Sequence, residues 1–249
     1  MADLDLNRFE ALTFDCYGTL IDWEAGILTA IDAVLAPRGV AADDDELLET
    51  YAGHEADAEG GAYLPYLEVL ARSCRGVCDR YGVEPTADEV RRFSRSVGEW
   101  PAFPDSAAAL ARLAQRFRLG VITNCDDDLF ALSNQRLGAP FTWVVTAQQA
   151  RSYKPSPRSF ELAFEVLGLP RDRILHVAQS LFHDHVPARR LGLATAWINR
   201  RHARGGSAPP RPPRRRRTLP RATWRPSPRW RWRKLNRRSP EWRRGDGHR

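Results

Sequence analysis

Polar residues follow short apolar runs at four places in the chain, and their types could bind or activate a small ligand. In chain order they are Asp15 with Thr19, Thr123 with Asn124, Lys154, and Ser180 with Asp184. A carboxylate at the carboxyl end of a strand lies where α/β sheets bind ligands. Gly18 permits a sharp turn directly after Asp15, and the Thr19 hydroxyl could bond a ligand oxygen. One such residue alone is more often a turn residue, but four sets in this order favour a catalytic site.

The apolar runs predict the strands that position these residues. Strands are expected over 9–14, 119–123, 143–146, 174–178 and 194–198. Helical patterns separate the later strands: one capped by Asp105, one over 129–137, one opened by Pro157 and closed by Gly168, and one over 187–191. This alternation predicts an α/β fold with a doubly wound, parallel, Rossmann-like sheet. Parallel strands share one carboxyl edge, so the polar groups should face a common crevice.

The stretch between the first two strands has a different pattern. Apolar residues recur there at helical spacing, with few strand signals. We therefore expect residues 1–21 and 99–202 to form the core domain, and residues 22–98 to form an inserted, all-helical cap.

The sequence resembles the haloacid dehalogenase superfamily over residues 9–202. Four motifs carry the resemblance: FDxYGT at Asp15 to Thr19, ITN ending at Asn124, YKP around Lys154, and HVAQSxxxD ending at Asp184. Within the superfamily, the chain is most similar to the type II (L-)2-haloacid dehalogenases. That resemblance implies hydrolytic removal of halide from a small 2-halo acid through an aspartyl ester on Asp15, without metal or other cofactor.

The resemblance also implies a role for each motif residue. Lys154 would keep Asp15 ionised, and Asp184 would hold Lys154 and help position water, with Ser180 nearby. Thr19, Thr123 and Asn124 would orient the carboxylates of nucleophile and substrate. Tyr17 and Tyr153 would line the substrate pocket.

Tyr17 distinguishes two reactions within the superfamily. Phosphatases of this superfamily carry a second Asp at this position, which protonates the leaving alcohol, whereas a halide leaves without a proton. Gln179 also stands where metal-dependent relatives usually have an acid. The alternative is a magnesium-dependent phosphatase with an incomplete metal site, in which Asp15 and Asp184 would be the ligands.

The cap departs from the dehalogenase pattern. Those enzymes place an arginine early in the cap, where it receives halide and substrate. Residues 43–59 contain no Arg or Lys, and His54 is the only cation candidate there. Arg72 and Arg75, further along the cap, are the substitutes that we consider.

Charge divides the chain into two unlike parts. Residues 203–249 contain 16 Arg and one Lys against two acidic residues, whereas residues 1–202 contain 21 basic and 29 acidic residues. Eight prolines and no apolar period in 203–249 predict a disordered tail rich in Arg, Pro and Trp. It could bind nucleic acid, which would make the protein a non-catalytic binder, or it could be GC-rich DNA read in a shifted frame. We favour the shifted frame.

The remaining expectations concern the cellular location and the binding partners of the protein. Four cysteines without a secretory pattern and no long apolar run predict a soluble, cytoplasmic protein without membrane contact. The expected partner is a small-molecule substrate, with nucleic acid only through the basic tail. The sequence does not decide whether the protein forms a homodimer.

Overall fold

A five-stranded parallel sheet forms the centre of the computed structural model, which describes residues 5–200 of the 249-residue chain. Its strands are β1 (Ala11–Phe14), β2 (Arg118–Thr123), β3 (Phe141–Thr146), β4 (Ile174–Ala178) and β5 (Ala194–Trp197). Their order across the sheet is β3-β2-β1-β4-β5. The prediction of an α/β fold with a doubly wound parallel sheet is confirmed.

The first strand lies in the middle of the sheet, which explains its uniformly apolar sequence. Phe14 of β1 is in register with Val121 of β2 on one side and with Val177 of β4 on the other. All residues of β1 and β4 are buried, whereas the outer strands β3 and β5 are partly exposed. Helices cover both faces of such a sheet, so its central strands are apolar throughout rather than alternating. The order reverses beside β1, and this is where open α/β sheets form a ligand crevice.

Nine α-helices surround the sheet within residues 5–200. They are α1 (Trp23–Leu35), α2 (Asp44–Glu59), α3 (Tyr66–Arg80), α4 (Ala87–Arg95), α5 (Ser106–Leu113), α6 (Asp127–Leu137), α7 (Ala147–Ala150), α8 (Arg158–Leu167) and α9 (Val186–Arg190). Short 3-10 helices lie at Leu6–Arg8, Ala36–Arg38, Ser96–Glu99 and Arg171–Arg173, and a π-helical turn at Leu181–His185. Helix α7 and the π-helical turn are not among the sequence predictions.

Helices α1 to α4 form the insertion between β1 and β2, so the predicted all-helical cap is confirmed as part of the fold. Local signals set where they begin. Asp22 accepts a hydrogen bond from the Ala25 backbone at the start of α1, and Thr86 with Glu89 forms a capping box on α4. The boundaries predicted for the core and cap domains remain a prediction.

One predicted helix cap is wrong. Asp105 precedes α5, but its side chain makes no capping hydrogen bond. Its Oδ1 instead accepts from Arg200 Nη1 at 2.7 Å. An ion pair with a residue far along the chain has replaced the local bond, which a local pattern cannot anticipate.

Two predictions concern other features of the chain. The basic tail over 203–249 lies outside the described residues. Within residues 5–200, no helix is both long and apolar enough to cross a membrane.

Candidate active site

Lys154 is the centre of a buried ion cluster at the carboxyl edge of the sheet. Its Nζ donates to Asp15 Oδ1 at 2.8 Å, to Asp184 Oδ1 at 2.6 Å and to the Ile122 carbonyl at 2.9 Å. The three charged side chains come from the segments that follow β1, β3 and β4 in the chain, and all are buried. The structure thus brings together three of the predicted site residues, because parallel neighbouring strands end at the same edge.

The charged groups of this cluster shift one another's pKa values. Burial raises the pKa of Asp15 and Asp184 adds to that, while Lys154 and the Thr19 hydroxyl oppose the rise. Burial raises the pKa of Asp184, but Lys154 and His176 outweigh burial and lower it to about 2. Burial lowers the pKa of Lys154, but the two aspartates outweigh burial and raise it. Asp184 therefore carries the persistent negative charge, and Lys154 stays cationic beside Asp15.

Thr19 holds the other oxygen of Asp15. Its hydroxyl donates to Asp15 Oδ2 at 2.7 Å and accepts from the Gln179 backbone N–H at 3.0 Å. Gly18 makes this arrangement attainable with a φ of 90°, and a Cβ there would lie 3.2 Å from Trp23 Nε1. Both carboxylate oxygens of Asp15 are thus fixed by donors, which orients the group.

His176 was not among the predicted site residues. This fully buried side chain in β4 lies between Thr13 Oγ1, at 3.0 Å, and Asp184 Oδ1, at 3.1 Å. A carboxylate only accepts, so His176 Nε2 donates to Asp184, and in the neutral imidazole Nδ1 then accepts from Thr13. His176 is a positioning residue for Asp184. Its signal in the sequence is a lone imidazole inside an otherwise apolar strand.

Asn124 makes contacts that differ from its predicted role. Asn124 does not contact the Asp15 carboxylate: its Oδ1 accepts from the Lys154 backbone N–H at 2.7 Å, and its Nδ2 donates to the Lys154 carbonyl at 3.1 Å. This pair of bonds fixes the backbone that carries the lysine. The buried Thr123 hydroxyl has no hydrogen-bond partner among the described residues, and its role stays a prediction.

Ser180, which was predicted only to lie near the cluster, bonds within its own turn. Its hydroxyl accepts from the His183 backbone N–H at 3.0 Å and lies 3.2 Å from His183 Nδ1. It therefore caps the π-helical turn at Leu181–His185, which carries Asp184. A local cap competes for a serine hydroxyl, and here it takes precedence over contact with the ion cluster.

The two predicted pocket tyrosines make different contacts. Tyr17 is half-buried, and its hydroxyl lies 2.9 Å from Ser133 Oγ and 3.3 Å from Cys125 Sγ. Burial raises the pKa of Tyr17 well above its ordinary value, so the phenol stays neutral. Tyr153 donates to the Leu64 carbonyl of the cap at 2.8 Å. Tyr17 packs beside the site, and Tyr153 joins the core to the cap.

None of the three predicted cation candidates in the cap has a contact with the Lys154 cluster among the described residues. His54 packs against α3, since a Cβ on Gly76 would lie 2.5 Å from its ring. Arg72 pairs with Glu68 on the surface at 3.0 Å, and Arg75 is exposed. An acidic residue of the cap, Glu59, has its Oε2 at 3.5 Å from Asn124 Nδ2. Sequence reasoning missed it.

The described residues fit a magnesium site poorly. Asp15 and Asp184 both direct an oxygen at the Lys154 ammonium group, which occupies the space between them. The third position that an acid could fill is Gln179, a neutral amide. In the described part of the chain, no group of three or more His, Cys, Asp or Glu side chains could hold a metal ion.

Comparison with known proteins identifies the family. The family model for haloacid dehalogenase-like hydrolases matches residues 9–181. This chain belongs to that family. The hydrolase is 26% identical over 201 residues to haloacetate dehalogenase H-2 of Moraxella sp. (strain B), covering 78% of this chain and 88% of that protein.

Two further proteins that are similar to this haloacid dehalogenase-like hydrolase differ from each other in reaction class. It is 27% identical over 188 residues to a phosphoglycolate phosphatase of Photorhabdus laumondii, covering 72% of this chain and 76% of that protein. Its fold matches the crystal structure of a defluorinating L-2-haloacid dehalogenase with a TM-score of 0.68 at 24% identity, covering 76% and 81% of the two chains. The resemblance to this family that the motifs predicted is therefore confirmed, and both reaction classes occur among the relatives.

Proposed function

We propose that this hydrolase removes halide from a small 2-halo acid through a covalent ester on Asp15. The observation that carries the proposal is the Lys154 ammonium group, bonded to Asp15 at 2.8 Å and to Asp184 at 2.6 Å in a buried site. A lysine in this place supplies the positive charge that keeps a buried carboxylate ionised and ready to attack.

The reaction would proceed in two steps. An oxygen of Asp15 attacks C2 of the substrate, the carbon–halogen bond breaks, and halide leaves with the bonding electrons. Water then attacks the ester carbonyl of Asp15, which releases the 2-hydroxy acid and a proton and restores the carboxylate. Asp184 Oδ2 is buried without a partner among the described residues, so it is available to accept a hydrogen bond from that water.

Tyr17 supports the same reaction. A phosphate ester needs an acid that protonates the leaving alcohol, and the position two residues after Asp15 carries a neutral phenol bonded to Ser133. Halide leaves without a proton, so the proposed reaction does not need an acid at this position. The similarity to a haloacetate dehalogenase points the same way.

The second candidate is a phosphatase, favoured by the similarity to a phosphoglycolate phosphatase. One experiment separates the two. Halide release from L-2-chloropropionate is measured in EDTA, beside phosphate release from phosphoglycolate with magnesium. Halide without metal supports the proposal, and phosphate release that requires magnesium, without halide release, overturns it.

Asp15→Asn tests the covalent step. The amide cannot act as the nucleophile, so we expect halide release to fall to background while the fold is retained. The exposed Asp57→Asn is the matched control, since it makes the same chemical change away from the site. Substantial turnover by Asp15→Asn would contradict a covalent ester on Asp15.

A further inference from the structure

Arg200, just beyond β5, binds the backbone of the loop that follows the nucleophile. Its Nε donates to the Thr19 carbonyl at 2.8 Å, although the two residues are 181 positions apart. Only 13% of the arginine side chain is exposed. The proposed reaction leaves this largely buried cation without a role.

Three further contacts fix the Arg200 guanidinium group. Its Nη1 donates to Asp105 Oδ1 at 2.7 Å, and its Nη2 donates to Ser106 Oγ at 3.4 Å. Its central carbon lies 4.4 Å from the centre of the Phe103 ring, a distance at which the ring attracts a cation. The guanidinium group is planar and its donors have fixed directions. These three contacts therefore also determine where Nε–H points, which is at the Thr19 carbonyl.

The next carbonyl along the same loop, that of Leu20, is held as well. The Ser106 hydroxyl donates to it at 2.8 Å, and the Phe103 backbone N–H donates to it at 3.0 Å. Donors from Arg200 and from residues 103–106 thus hold two consecutive carbonyls after the nucleophile. They fix the backbone where the chain leaves β1 for the cap.

The position of the Thr19 backbone determines where its hydroxyl lies. That hydroxyl donates to Asp15 Oδ2 at 2.7 Å and accepts from the Gln179 backbone N–H at 3.0 Å. The threonine side chain is fully buried and β-branched, which restricts rotation about its χ1 bond. A displaced backbone would therefore displace the hydroxyl from the Asp15 carboxylate.

We propose that Arg200 is a positioning residue for the nucleophile: by holding the Thr19 carbonyl, it keeps the Thr19 hydroxyl on Asp15 and so orients the attacking carboxylate. The inference rests on the proposed function, because it takes Asp15 to be the nucleophile. Within residues 5–200, none of the hydrogen bonds of Arg200 is to Asp15, so its effect passes through Thr19. Attack requires close alignment of the reacting atoms, and a misplacement of about 1 Å can lower the rate about 10²-fold.

Arg200→Met removes every donor of the side chain and keeps an unbranched stem. We expect kcat for halide release from L-2-chloropropionate to fall about 10- to 100-fold. KM should change little, because orientation of the nucleophile acts in the transition state. Arg80→Met is the matched control, since it removes an ion pair of similar length, 2.6 Å to Glu46, on the surface of the cap.

Arg200→Lys is the milder variant. Its ammonium group can keep the ion pair with Asp105 and the fold, but it lacks the planar fork that joins this ion pair to the bond with Thr19. We expect kcat to fall with this variant as well. Melting temperatures are measured for all variants, and kcat is measured well below the lowest of them, so that unfolded protein does not contribute.

Thr19→Val tests whether Arg200 acts through the Thr19 hydroxyl, because valine has a similar shape without that group. If it does, adding Arg200→Met to Thr19→Val lowers kcat much less than the product of the two single losses. A residue that only stabilises the fold would give losses that multiply. Multiplying losses in kcat would therefore overturn the proposal.

The Asp15 carboxyl group gives a second readout that needs no turnover. In protein labelled with carbon-13 at the aspartate carboxyl groups, the Asp15 signal is the one that Asp15→Asn lacks. Thr19→Val should move this signal through loss of its hydrogen bond, and Arg200→Met should move it in the same direction.

Failure of this inference can be told from failure of the proposed function. The common shift of the Asp15 signal supports the role of Arg200 even if the parent releases no halide. Halide release by the parent with an equal kcat in Arg200→Met overturns the role of Arg200 and leaves the proposed function intact. An Asp15 signal that Thr19→Val moves and Arg200→Met leaves in place overturns it as well.

Discussion

Replacing Lys154 with Met is the sharpest test of the ion cluster. The variant keeps a flexible side chain of similar length but removes the ammonium group that bonds Asp15, Asp184 and the Ile122 carbonyl. Two carboxyl groups then face each other, buried and without a counter-ion. Breaking a buried ion pair in this way costs about 3–5 kcal/mol. For a domain of this size, that is about 6–20 °C in melting temperature.

The loss of activity should be larger than the loss of stability suggests. Without Lys154, burial and the neighbouring Asp184 both raise the pKa of Asp15 with no cation to oppose them, so less of the nucleophile is ionised. We expect halide release to fall about 10²- to 10³-fold, as when one group that stabilises charge is removed from an active site. Urea unfolding followed by circular dichroism, together with halide release, measures the two effects. The exposed Arg75→Met is the control and should change stability by less than about 0.5 kcal/mol.

The double variant with Asp184→Asn tests the cause. If the cost arises from two unpaired charges, removing one of them should restore about 1–3 kcal/mol of stability without restoring activity. A single variant as stable as the parent, or a double variant no more stable than the single, would refute the electrostatic reasoning.

Acid should weaken the parent through the same cluster. The pKa of Asp184 is lowered to about 2 in the folded protein, so its contribution to the free energy of unfolding is present above its unfolded pKa. That contribution is lost as pH falls from about 4 to about 2. The Lys154→Met variant should lack this component, and an equal acid sensitivity in both proteins would contradict it.

Three further predictions follow from individual contacts. His176→Phe removes the donor that holds the second aspartate, so halide release should fall about 10-fold or more while the melting temperature changes less than with Lys154→Met. Tyr17→Phe should keep most of its halide release, since its hydroxyl supplies no proton, and a total loss would contradict the halide assignment. Gly26→Ala should destabilise the protein by about 1–3 kcal/mol, because its Cβ would lie 2.2 Å from Trp100. The matched Gly53→Ala meets open space in helix α2 and should be neutral or stabilising in the same urea unfolding assay.

The strands and the nucleophile were predictable because their signals are local. An apolar run of four to six residues specifies a buried strand, and a polar residue at its end has only one edge to occupy in a parallel sheet. This is why Asp15, Lys154 and Asp184 could be placed together before any distance was known. The helix starts at Asp22 and Thr86 follow from capping within one turn.

Other features depend on residues that are far apart in the chain. Asn124 was expected to orient a carboxylate, but packing of the loops places it against the Lys154 backbone instead. Asp105 was expected to cap α5, and Arg200 binds it from 95 residues away. A polar side chain can bond several partners, and only the packed chain decides which of them comes within reach.

The sequence by itself determined the α/β fold, the family and the residues at the ends of the strands, because each is encoded in periodicity or in a short motif. The tertiary structure decided what surrounds the nucleophile. In it, His176 contacts Asp184, and Ser180 caps the π-helical turn. Glu59 of the cap contacts Asn124 of the core. The last contact joins residues 65 positions apart. Its existence depends on how α2 packs over the sheet, and no local pattern specifies that.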